Sequence, residues 1–290
     1  MPLPAAAIPL LFVVIWATGF VTARLVAPHV EPMTFLALRF ALASAILVAL
    51  AFVMRSPWPR GGRAWGNAIG IGLLLQGVYL GGVFWAVKHG LPAGVSSLVV
   101  SAQPLLTAVL AGPLLGESVP MRRRIGVGIG LVGVALVLVP KLGGQDGYPA
   151  VTLLASIVSL VAITAATIWQ KRAGQGLDIR TGTAIQFGAS ALLMFAAALV
   201  SETMRVDPAP EFWIGLLWSV FGLSIGAIFL LLLMISRGAV VGVASWLFLV
   251  TPVAALMSFA LFGDTLSAVQ LAGMAVATAG VALATRGQSR

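Results

Sequence analysis

Hydrophobic residues run along this chain in long blocks, broken by short charged or Pro/Gly-rich turns. The blocks lie roughly at 5–27, 32–54, 66–87, 93–115, 125–140, 150–170, 181–201, 212–235, 240–262 and 267–285. A helix of about 20 apolar residues crosses a hydrocarbon core about 30 Å thick, and only the block 125–140 falls clearly short of that. Lipid admits only helices or closed barrels, because backbone groups must be satisfied internally. The blocks lack strict two-residue alternation, which selects helices. The breaks are as short as Pro28–Glu31, Lys88–Pro92, Ser236–Ala239 and Gly263–Leu266, with no room for a soluble domain. The pattern predicts an all-α integral membrane protein with ten transmembrane helices.

The pattern also repeats. Met33–Leu50 aligns with Arg180–Ala197, an offset of 147 residues, so that Leu38-Arg39-Phe40 falls on Ile185-Gln186-Phe187. The same offset places Glu31 on Asp178 and Gly133 on Gly280. With one residue inserted, Gly90, Gly94, Ser97 and Pro104 fall on Gly238, Gly242, Ser245 and Pro252. Two copies of five spans each predict repeats over 1–145 and 146–290. An odd number of spans per copy forces the second to enter the membrane inverted, the plan of many alternating-access carriers.

Charge then gives direction. Counted from a cytoplasmic N-terminus, the inner segments hold Arg55, Arg60, Arg63, Arg122, Arg123, Arg124, Lys171, Arg172, Arg180, Arg237, Arg286 and Arg290. The outer segments hold Lys88, Lys141 and Arg205, while most acids lie outside. By the positive-inside rule both termini are cytoplasmic. The net charge of +9 is thereby assigned to membrane orientation rather than to nucleic acid. Composition agrees: 60% of residues are hydrophobic, 9% are charged, and mean hydropathy is +1.08. The absence of cysteine excludes disulfides and thiolate metal sites. The first block lacks a basic flank and exceeds the usual signal-peptide core of about 7–15 residues, so it is expected to be a retained span.

Small residues four apart permit close helix contact. The pairs Gly90/Gly94 and Gly238/Gly242 correspond across the repeat, as do Pro104 and Pro252 inside spans four and nine. A proline in a helix removes an amide donor and frees a carbonyl, so these two mark flexing or half-broken elements, or plain structural kinks. Gly126, Gly130, Gly133, Gly273 and Gly280 give spans five and ten smooth faces that pack internally or between protomers; monomer and homodimer both remain open.

Three stretches carry a family likeness: Trp16-Ala-Thr-Gly-Phe20, Glu31 through Phe40 with its Pro…Arg-Phe pattern, and Ala86 through Val137 with Pro104-Leu-Leu and Leu115-Gly-Glu117. The second copy ends similarly, with Thr251-Pro252 and Phe262-Gly263-Asp264. The chain resembles the ten-span EamA-type members of the drug/metabolite transporter superfamily. That resemblance implies a secondary carrier of the bacterial inner membrane, often exporting metabolites, with helices one, three, four, six, eight and nine around a central cavity. Amino-acid exporters look nearest. The copies differ where the first has Arg39, Trp16 and Glu117 and the second has Gln186, Ile163 and Asp264.

All acids and both histidines fall in predicted connections, leaving the spans without carboxylate or imidazole. This removes the usual buried carboxylate of proton or sodium coupling, and with it paired-carboxylate, zinc and triad chemistry. No P-loop is present. The chain is expected to be no enzyme, to carry no metal or cofactor, and to bind a small molecule within the lipid bilayer. The cavity candidates are Trp16, Gln76, Tyr79, Ser97, Ser101, Thr164, Trp169, Ser245 and Trp246, which offer stacking, cation–π contact and neutral hydrogen bonds. Each has a bland counterpart: hydroxyls bonded to carbonyls one turn back, and tryptophans at the interface or in packing. Arg39 is the charge deepest in a span, and a structural role bonding neighbouring carbonyls is preferred for it over function. The functions that fit are export of amphipathic metabolites, foremost amino acids including aromatic or large neutral ones. Drug export by the same fold and a non-gated pore remain alternatives.

Overall fold

A computed structural model describes residues 7–115, 121–138, 148–173, 178–226, 229–230, 250–263 and 267–285. The apolar blocks become α1 (Ala7–Val26), α2 (Pro32–Val53), α3 (Gly62–Lys88), α4 (Ala93–Ser101), α5 (Gln103–Leu115) and α6 (Met121–Leu138). They continue as α7 (Ala150–Ala173), α8 (Ile179–Ser201), α9 (Pro210–Gly226), α10 (Val250–Phe262) and α11 (Ala268–Thr285). Among the described residues there is no strand, only an isolated bridge between Val30 and Val206. The helices α2, α3, α7 and α8 are long and apolar enough to cross a membrane.

Local chemistry sets the helix ends. Pro32 opens α2 at a position whose N–H has no intrahelical partner. The carboxylate of Asp178 accepts from the amides of Arg180 and Thr181 and so caps α8. Gly90 after α3 and Gly263 after α10 take φ of +100° and +68°, a region that favours glycine. The helix α6 already includes Met121, four residues before the predicted span, because a helix continues past the apolar block into the polar boundary. Lys171 and Arg172 likewise extend α7 and complement the negative end of its dipole.

The two copies meet along matching surfaces. Helices α2 and α8 run antiparallel. Phe40 stacks on Phe187, its own counterpart in the repeat, with ring centroids 5.5 Å apart. Ser44 Oγ donates to the Ala184 carbonyl at 2.9 Å. At one end, the Glu202 carboxylate accepts from the amides of Met33 and Thr34 at 2.7 and 2.8 Å, and Thr203 donates twice to Glu31. At the other end, Arg180 donates to Ser56 Oγ at 3.1 Å and Thr181 to the Pro57 carbonyl at 2.9 Å.

Helices α6 and α11 pack backbone to backbone. A Cβ on Gly133 would strike the backbone of Ala277, and one on Gly280 would strike that of Gly130. The smooth glycine faces of these two helices are therefore spent on each other, inside the protein. Helix α1 lies against α9 and α10, and α3 against α7 and α8.

Irregular helix recurs as well. A π-helical turn interrupts α3 at Leu73–Val78, and another spans Trp218–Gly226 in α9, the corresponding place in the second copy. The fourth block breaks at Ala102, separating α4 from α5, with Pro104 the second residue of α5. There a missing amide costs nothing.

Candidate functional site

The two π-helical turns face one another across a cavity of about 240 Å³. Leu75, Gln76 and the adjoining Tyr79 come from α3, Leu223 and Ser224 from α9. Helix α1 contributes Phe12, Trp16, Gly19 and Phe20; α2 contributes Arg39; α8 contributes Thr183, Gln186 and Phe187; α7 contributes Gln170. A π turn rotates side chains out of the ordinary helical register and often marks a functional position. The volume lies below the roughly 300–1,000 Å³ of drug-sized pockets, so it suits a small metabolite.

The wall combines aromatic and polar side chains. Arg39 is 5% exposed, with Nε 3.4 Å from Ser224 Oγ and its guanidinium 5.6 Å from the Phe40 ring centroid. An arginine at the centre of a membrane helix costs about 2.5–3.5 kcal/mol on insertion scales. Among the described residues no carboxylate pairs with it. Tyr79 and Gln186 are also buried, and among the described residues neither they nor Gln76 and Thr183 find a hydrogen-bond partner for their side chains. The polar wall thus holds unspent donors and acceptors.

The residues expected from sequence separate into groups. Trp16, Gln76, Tyr79 and Arg39 come together in this cavity. Ser97, Ser101 and Pro104 line a neighbouring space of about 80 Å³ that shares Trp16 and Phe20 with it. The hydroxyls of Ser97 and Ser101 are taken, donating to Gly94 and Leu98 carbonyls at 2.8 Å. Thr164 is buried away from the central cavity and donates to the Leu160 carbonyl at 2.7 Å. Trp169 lies elsewhere, on a wide cleft of about 1,090 Å³ with Arg60, Arg63 and Arg172. Its ring rests where Gly70 has no side chain, and its Nε1 donates to Asn67 at 3.2 Å. Pro252 lies within α10, whose described residues begin at Val250. Ser245 and Trp246 fall outside the described residues.

Sequence reasoning missed Phe12, Phe20, Thr183, Gln186, Phe187 and Ser224 as cavity residues. A signal for two of them was present. Gln186 and Phe187 are the counterparts of Arg39 and Phe40, and an antiparallel crossing of equivalent helices brings such counterparts together.

The model of the EamA-like transporter family matches the chain twice, over residues 4–139 and 150–286. The chain is 31% identical over 136 residues to a probable amino-acid metabolite efflux pump of Salmonella typhimurium, a match covering 47% of this chain. That match spans 43% of the pump, less than half of its length. It is 26% identical over 276 residues to the uncharacterized inner membrane transporter YedA of Escherichia coli, covering 95% of this chain and 88% of YedA. A solved crystal structure superposes with a TM-score of 0.66 at 22% identity, over 96% of this chain and 95% of the other, which establishes likeness of fold.

Proposed function

This multi-pass membrane chain belongs to the EamA-like transporter family, and from that premise we propose that it exports small amphipathic metabolites, foremost amino acids. The observation that carries the proposal is the central cavity. It is small, lined by aromatic side chains and by unspent neutral polar groups, and set between helices at equivalent positions of the two copies. Large neutral or aromatic amino acids match it, stacking on Trp16 and Phe20 while amide and phenol groups meet their polar ends. The name of the Salmonella relative supports the same class.

In this reading the ten blocks are ten spans, arranged as two inverted repeats over 1–145 and 146–290, with both termini in the cytoplasm of a bacterial inner membrane. The double family match and the antiparallel meeting of Phe40 with Phe187 support the inversion, since a two-fold axis in the membrane plane brings equivalent helices together head to tail. Rocking of one repeat against the other would then open the cavity to each face in turn. Export of cationic drugs fits less well, because a cation entering the cavity meets the buried Arg39 guanidinium.

The test is flux in proteoliposomes holding the purified full-length chain. Labelled phenylalanine or leucine should move saturably and show counterflow, without stoichiometric proton movement, because the described lining of the cavity holds no carboxylate. Linear flux without counterflow would overturn the carrier. Efflux of cationic dyes with no amino-acid flux would overturn the substrate class.

A further inference from the structure

Arg39 offers five N–H donors, and its contact to Ser224 Oγ occupies one of them at a long 3.4 Å. The group is 5% exposed and opens onto a cavity in which Tyr79 and Gln186, 4% and 7% exposed, also lack a protein hydrogen-bond partner among the described residues. Buried polar groups normally find partners, and a buried cation normally finds an anion. None of the described residues supplies that partner, and the cavity leaves room for one from outside the chain. We propose that Arg39, with Gln186 and Tyr79, forms a carboxylate-binding subsite that receives the acid group of the transported molecule. The proposal rests on the exporter reading above and narrows its substrates to small molecules bearing a free carboxylate.

The chemistry of the three groups favours a carboxylate over other anions. A guanidinium is a planar fork whose parallel N–H bonds match the two oxygens of a carboxylate. The symmetric position in the second copy holds Gln186, so the described lining carries one positive charge where an exact repeat would have two. One charge matches a monoanion. A phosphate dianion or a dicarboxylate would bring a second negative charge that the Arg39 guanidinium does not offset. Gln186 and Tyr79 supply further donors at the same wall, while Trp16, Phe20 and Phe187 line the remainder for an apolar or aromatic group. The pairing also has a consequence for the cycle. The empty cavity holds a guanidinium with no carboxylate partner among the described residues and the loaded one a guanidinium–carboxylate pair, so the two states differ in the cost of closing away from water.

The test compares three ligands of one shape on the detergent-purified full-length chain: phenylalanine, 3-phenylpropionate and 2-phenylethylamine. Wild type should bind the two carboxylates about 10- to 100-fold more tightly than the amine. Arg39→Gln should collapse that preference toward unity, and Arg39→Lys, which keeps the charge and loses the fork, should fall between. Equal binding of amine and carboxylates by wild type would overturn the subsite, as would an equal loss for all three ligands in Arg39→Gln. The wild-type series decides the matter even where Arg39→Gln fails to fold. Binding of 3-phenylpropionate with no amino-acid flux would sink the amino-acid reading and keep the subsite. Amino-acid flux with an unchanged ligand preference in Arg39→Gln would do the reverse.

Discussion

A hydroxyl bonded to its own helix and one facing a cavity are the same letter in a sequence. Ser97, Ser101 and Thr164 all satisfy themselves on carbonyls one turn back, as hydroxyls in lipid tend to. Tyr79 and Gln186 have no such option, since a phenol or an amide is too long to reach back to the backbone in the same way. Trp16, Gln76 and Tyr79 line the cavity, whereas Thr164 lies outside it with its hydroxyl bonded to its own helix, a difference the sequence does not carry. Trp16→Ala and Tyr79→Ala should each lower transport by about tenfold, the scale of a lost hydrogen bond or stacking contact, with membrane expression unchanged. Thr164→Val should leave transport close to wild type. Uptake assays on matched expression levels check both, and equal activity across all three variants would return Trp16 and Tyr79 to packing roles.

At the scale of elements, block positions followed from hydropathy, but the ends and interruptions did not. Arg122 and Arg124 looked like a loop, yet they lie in the opening turns of α6. The π turns at Leu73–Val78 and Trp218–Gly226 leave no periodic trace in composition, and they aim Gln76 and Ser224 into the cavity. The break at Ala102 was foreshadowed by Pro104. Glycine spacing announced that α6 and α11 have smooth faces without saying what covers them. Since Gly133 and Gly280 each meet the backbone of the opposite helix, Gly133→Leu or Gly280→Leu should destabilise the fold by about 1–3 kcal/mol or more. Thermal unfolding in detergent measures this, and Gly128→Leu, where a Cβ meets open space, is the control expected to be neutral. Equal effects at all three positions would contradict the packing.

For the whole molecule, duplication, span count and charge asymmetry together predict two inverted repeats; the structure adds that α2 and α8, at equivalent positions of the two copies, pack antiparallel. The proposed site was harder to read because its lining differs between the copies at Arg39 against Gln186, and Trp16 against Ile163. A near-symmetric frame with an asymmetric cavity is what a carrier needs when it recognises one end of a small molecule differently from the other. The central claim is that this cavity opens to one face of the membrane at a time. The natural absence of cysteine allows a direct test with one introduced thiol at Leu75, which lines the cavity. In membrane vesicles of known orientation, Leu75→Cys should react with an impermeant thiol reagent from either face, and substrate should slow one reaction while changing the other in the opposite sense or blocking it. Simultaneous reaction from both faces at rates that substrate leaves unchanged would contradict alternating access and identify a pore.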